Sequence, residues 1–129
     1  MKKLFKFLAI SFCIMMLGGC GAAKLSSNYS ETKLKAATQK VVDNFNNGKY
    51  DDIIAGMSQK LKGGITGDKL KEAWTGLGEL GKYNSISKMI FQEVKGDAVV
   101  VAVVKYDNKK VQLTLSYNKS MELEGIYIK

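Results

Sequence analysis

Ala98-Val99-Val100-Val101-Ala102-Val103-Val104-Lys105-Tyr106 is the stretch whose reading decides the fold. Its run of valines and alanines suits extended backbone, where β-branched side chains pack well. With no polar alternation before Lys105, it is predicted to be a central strand covered on both faces. Asp107-Asn108-Lys109-Lys110 supplies a turn. After it Val111, Leu113, Leu115 and Tyr117 alternate with Gln112, Thr114 and Ser116, the pattern of a half-buried antiparallel strand. Upstream, Tyr83 to Val94 is rich in β-branched and aromatic residues and reaches the central strand through Lys95-Gly96-Asp97. Downstream, Asn118-Lys119-Ser120 leads into a last strand, Met121 to Ile128. There Met121 and Leu123 hold one parity while Ile126 and Ile128 hold the other. Gly125, lying between, is the expected site of a β-bulge.

Before this meander the period changes to that of a helix. Leu34, Ala37, Val41, Val42 and Phe45 fall on one stripe over 31–46, with Ser30 as N-cap and Asn46-Asn47-Gly48 as stop. A shorter helix over Tyr50 to Met57 buries Ile53, Ile54 and Met57. A third, capped by Thr66, spaces Leu70, Ala73, Trp74 and Leu77 at threes and fours, in a segment closed by Gly81. Helices grouped before strands indicate an α+β domain, three N-terminal helices packed on a curved four-stranded antiparallel sheet; a cone-like shape is one of several α+β arrangements the pattern allows.

Further upstream lies a different kind of segment. Basic Met1-Lys2-Lys3-Leu4-Phe5-Lys6 precedes an apolar run, Phe7 to Leu17. The run is too short to span a bilayer and has the layout of a secretory leader. Leu17-Gly18-Gly19-Cys20 resembles a bacterial lipobox. That resemblance implies a diacylglyceryl group on the Cys20 thiol, cleavage just before it, and a lipid-anchored protein on the extracytoplasmic face of a membrane. Residues 1–19 are then the cleaved signal peptide, 20–30 a lipidated cysteine with a polar tether, and 31–129 one domain.

Composition excludes several chemistries. The chain has no histidine, and Cys13 and Cys20 are its two cysteines. If the first leaves with the leader and the second is acylated, the domain holds no thiol. Ser/His and Cys/His nucleophiles and nitrogen–sulfur zinc sites then cannot be built. No phosphate-loop or dinucleotide fingerprint is present, and no cofactor is expected. The net charge of +8 falls to +5 when Lys2, Lys3 and Lys6 depart. The positive charge is all lysine, scattered among acidic residues, which describes a solvated face rather than a nucleic-acid site. Adjacent Asp51 and Asp52 open a helix, where they complement its dipole, and no spaced oxygen-ligand loop for calcium surrounds them.

One set of segments goes beyond pattern. Phe45-Asn46-Asn47-Gly48-Lys49-Tyr50-Asp51-Asp52-Ile53-Ile54, Ile65-Thr66-Gly67-Asp68-Lys69-Leu70-Lys71-Glu72-Ala73-Trp74 and Leu80-Gly81-Lys82-Tyr83-Asn84-Ser85-Ile86 resemble a bacterial domain family of unknown function. The resemblance covers about residues 36–128. It implies the small cone of the nuclear-transport-factor-two-like, or cystatin-like, fold, and assigns no activity.

Three functional readings stay open. The leading one is a non-enzymatic module that binds a small apolar ligand or a partner protein, with Tyr50, Trp74, Tyr83, Met89 and Phe91 as candidate contacts. Trp74 also reads as a core anchor, and Tyr50 and Tyr83 either close the mouth of the cone or cap its core. The second is a structural or envelope-accessory protein whose cone is filled by its own side chains. The third is a cone-fold isomerase or lyase using Glu93 with Tyr83 or Tyr106. Pairing of two copies through the open sheet face is compatible with all three.

Overall fold

The computed structural model describes residues 22–129, so the segment expected to be a leader and Cys20 lie outside the described residues. The elements follow in the order β1 (Ala22–Ala23), α1 (Glu31–Asn46), α2 (Tyr50–Ala55), α3 (Gln59–Lys62), α4 (Gly67–Thr75), β2 (Tyr83–Val94), β3 (Asp97–Tyr106), β4 (Lys110–Tyr117) and β5 (Leu123–Ile128). The strands form one antiparallel sheet in sequence order, β1-β2-β3-β4-β5. Helices followed by a four-stranded antiparallel meander, not closed into a barrel, make the α+β architecture that the sequence predicts.

Local chemistry accounts for the helix boundaries. Ser30, Ser58 and Thr66 are extended N-caps whose hydroxyls accept from the N–H groups of Lys33, Leu61 and Lys69. The Ser58 cap starts α3, a single turn absent from the sequence reading. Gly48, at φ +69°, takes the left-handed position just past α1, where a side chain is disfavoured. The last long helix stops at Thr75 with Gly76 as its cap, so Leu77 lies beyond it.

The sheet packs one face against the helices. Along β3, Ala98, Val100, Ala102, Val104 and Tyr106 meet Leu34, Val42 and Phe45 of α1, together with Val111, Leu113, Leu115 and Tyr117 of β4. Burying side chains of this size contributes about 1.5–3 kcal/mol each for the larger ones. Over Ala98–Ala102 both parities of β3 are buried, as expected of a strand covered on both faces, with Val99 3 % and Val101 8 % exposed. Val99 and Val101 do not join the core cluster of the helix-covered face. Their cross-strand neighbours are Gln92 and Ile90 on one side and Ser116 and Thr114 on the other.

Two further details bear on the site. Register shifts at Tyr83/Ser85 and Ile86/Lys88 put two irregularities into the first half of β2. A third, in the β4–β5 pair, leaves Glu124 out of register beside Gly125, where the parity change predicts it. The residues read as a polar tether also differ from that reading. Ala22 and Ala23 pair with Val94 and Glu93, the Ser26 N–H donates to Glu93 Oε1 at 2.9 Å, and Tyr29 is buried. The physical reason is that Leu25 and Tyr29 offer apolar surface to the core, which a composition of Ala, Ser and Asn masks.

Candidate functional site

A column of aromatic rings crosses the interior. Tyr50 meets Phe45 edge-on, with centroids 6.1 Å apart. Phe45 stacks on Trp74 at 4.4 Å and 14°. Trp74 meets Tyr106 edge-on at 6.1 Å, and Tyr106 meets Tyr83 at 5.7 Å. These arrangements are favoured by ring quadrupoles and fill the space between α1, α4 and the sheet. The Tyr106 hydroxyl donates to Asn46 Oδ1. Burial, then Tyr83, pushes its pKa up to about 12, with the Asn46 bond opposing. Burial likewise pushes Tyr117 up to about 12 against its bond to Thr38.

The candidate contacts therefore divide. Trp74 is 8 % exposed and belongs to the packed column, touching a shallow depression only with Asn46, Tyr106 and the loop after α4. Tyr50 caps the column at its other end. It borders a separate depression with Asp51, Asp52, Asp68 and Lys71, where the first turns of α2 and α4 come together. Tyr83, Met89 and Phe91 come together in a third place, an open groove between α1 and the first part of β2, with a volume of about 740 Å³. Cys20 lies outside the described residues.

The groove follows from how α1 sits on the sheet. Its apolar stripe, Leu34, Thr38, Val41, Val42 and Phe45, faces inward. One helix flank then carries Glu31, Lys35 and Gln39 at intervals of four, over the edge of β2. Glu31 and Lys35 lie 3.7 Å apart as an exposed ion pair, and Gln39 donates to Asp43 at 2.9 Å and to the Tyr83 hydroxyl at 3.4 Å. The floor is Tyr83, Ile86, Met89 and Phe91, all half-buried. Beyond β1 no described strand pairs with the outer edge of β2, and the two register shifts and Lys88 lie along it. The result is an apolar floor, one polar wall and one open side. Ile86 and Gln39 are among the contributors that sequence reasoning missed, as are Glu31 and Lys35. Ile86 was hidden by the irregular register of β2, and Gln39 by its polar position on a helix read for its apolar face.

The carboxylate–tyrosine pairing required for acid–base work is not assembled. Glu93 and Tyr83 stand at opposite ends of β2, opposite Ala98 and Tyr106 of β3, which are eight residues or about 27 Å apart at the usual strand rise. Glu93 instead receives hydrogen bonds from Ser26, which hold its carboxyl below the usual range. Among the described residues no His/Cys/Asp/Glu cluster could hold a metal ion. What the groove offers is contact surface: thioether, rings, a mixed ion pair and amide groups. The chain belongs to the family described as "Protein of unknown function (DUF3887)", whose model matches residues 38–126. No curated protein and no solved structure matches it.

Proposed function

We propose that this chain is a lipoprotein held on the extracytoplasmic face of a cell membrane by a lipid on Cys20, and that its domain is a non-enzymatic binding module. The α1–β2 groove receives an apolar segment of a partner protein. The observation that carries the reading is the groove itself, where Tyr83, Ile86, Met89 and Phe91 stay half-exposed along an open strand edge. Methionine and aromatic side chains of this kind are adaptable contact surface. An open side and a packed interior favour a macromolecular partner over an enclosed small ligand. The long first helix lying against an antiparallel sheet supports the finer assignment to the nuclear-transport-factor-two-like cone. The basic start, apolar run and Leu17-Gly18-Gly19-Cys20 support the anchor.

Two experiments test the two halves. Cys20→Ser is expected to release the protein from membranes and abolish fatty-acid labelling, and labelling that survives the change sinks the anchor. A photo-crosslinking residue at Met89, in the full-length protein in its own envelope, is expected to yield a discrete protein adduct. The adduct should disappear in a Phe91→Glu background and be absent with the crosslinker at Lys105. A lipid-sized adduct at Met89 would transfer the groove to a small apolar ligand. Equal labelling at Met89 and Lys105 would remove the groove as a site.

A further inference from the structure

The segment ahead of α1 is fastened to the sheet at three separate points. Ala22 and Ala23 extend the sheet beside Val94 and Glu93. One turn further on, the Ser26 N–H donates to Glu93. The Tyr29 hydroxyl donates to the Gly96 carbonyl at 2.5 Å and lies 3.4 Å from that of Tyr117. Tyr29 thus ties the β2–β3 turn to the end of β4, and it is 9 % exposed. All three fastenings gather at one end of the sheet, where Lys95-Gly96 joins β2 to β3 and Asn118-Lys119-Ser120 leaves β4.

Cys20 is two residues from Ala22, so its Cα lies within about 7–8 Å of the Cα of the first sheet-paired residue. A ten-residue free tether would let the domain tumble above a bilayer; a strap fastened this close to the lipid does not. Resting on the anchor reading above, we propose that residues 22–29 are an orienting strap. It seats the end of the sheet bearing Lys24, Lys95 and Lys119 against the lipid surface and directs the opposite end outward. Charge does not produce this orientation. Lys24, Lys95 and Lys119 are exposed there, but Glu93, Asp97, Glu122 and Glu124 share the same end. Asp97 even has its pKa raised, by burial first and then by Glu124, against Lys60. The surface so apposed therefore fits neutral as well as anionic head groups. The α1–β2 groove, which runs along β2 from Phe91 back to Tyr83, stands upright on the membrane with its Tyr83 end farthest out.

The test uses the processed, lipidated protein reconstituted in phosphatidylcholine vesicles containing a minor fraction of lipid with a nitroxide on the head group. Thiol-reactive fluorophores are placed singly at Lys119→Cys and at Lys105→Cys, both exposed. Lys105 lies seven residues along β3 from the Tyr117-paired Ala98, about 24 Å farther from the strap end. Severalfold stronger quenching at position 119 than at 105 is expected. Substituting phosphatidylglycerol for part of the phosphatidylcholine should leave the contrast unchanged. A flexible ten-residue Gly/Ser insertion between Gly21 and Ala22 should abolish it while leaving the domain folded. Equal quenching at the two positions, or a contrast that survives the insertion, overturns the strap. A fluorophore attached to Cys20 itself, with protein left in the supernatant, overturns the anchor on which it depends and is recognised independently of any quenching.

Discussion

The aromatic column and the α1–β2 groove are both lined by rings, and Tyr83 belongs to both, yet they have opposite fates. In the column each ring is held between helix and sheet. Phe45 is 2 % exposed and Trp74 8 %. In the groove the same helix turns its Glu31–Lys35–Gln39 flank toward the strand, so Ile86, Met89 and Phe91 pack against the core cluster yet stay half-buried beside a polar wall. The difference lies in helix phase and not in residue type. A stripe five residues long closes the centre of the sheet and leaves its β2 edge under a polar overhang.

Mutagenesis breaks or sharpens this contrast most directly. Trp74→Ala is expected to cost about 3–5 kcal/mol, the usual range for a buried large aromatic. Phe91→Ala, half-buried, should cost about 1 kcal/mol, since roughly 25 cal/mol is lost per Å² of apolar area that is actually covered. Urea unfolding followed by circular dichroism measures both. Equal losses would mean that the groove floor is core, and the contrast would fall.

Alkali probes the column from another direction. Folded Tyr106 and Tyr117 ionise only near pH 12 because burial disfavours the phenolate. Their unfolded counterparts ionise near pH 10, as free tyrosine does. The folded state therefore holds more protons between these limits. The stability these two groups contribute is complete below pH 10 and is lost as pH rises toward 12. Unfolding midpoints in that window, paired with phenolate absorbance, test this, and Tyr117→Phe should flatten the decline. A flat profile in the unmodified protein would place these hydroxyls in water.

Smaller effects are expected at the strap and on the sheet face that carries Gln92 and Val99. Tyr29→Phe removes the bond to the Gly96 carbonyl and should cost about 1 kcal/mol, typical of one hydrogen bond. Faster amide exchange at Ala22 and Ala23 is the accompanying sign, and unchanged exchange there would mean that Tyr29 does not secure the strap. Gln92, opposite Val99, carries a buried Oε1 with no hydrogen-bond partner among the described residues. Gln92→Leu should leave thermal stability unchanged or raise it slightly, by up to about 1 kcal/mol, because an unpaired buried acceptor is costly.

How much of this was legible in the sequence follows from which signals are local. Turn chemistry at Lys95-Gly96-Asp97 and Asp107-Asn108-Lys109-Lys110, and the alternation through β4, place the meander. Gly125 and the parity change announce the last bulge. The bulges of β2 carry no comparable mark, because Asn84 and Ser87 are ordinary strand-surface residues until register is known. The valine run of β3 is a local signal too, and it reports the burial that Val99 and Val101 share with Val100 and Ala102. The strap was illegible because its fastening is tertiary, a single tyrosine reaching carbonyls 67 and 88 residues away. The grouping of Tyr83, Met89 and Phe91 was within reach, since they share a strand. The separation of Tyr50 and Trp74 from them depended on helix phase.

The most direct test of the central claim is hydrogen exchange by mass spectrometry on the full-length protein, compared between the membrane in which the proposal places it and a purified detergent-solubilised state. In that membrane, the account predicts added protection in β2 over Tyr83–Phe91 and in the first half of α1. Peptides carrying Phe45 and Trp74 should exchange alike in both states. Protection gained around Phe45 and Trp74 with none along β2 would contradict it, placing the occupied site inside the domain and leaving the groove as bare surface.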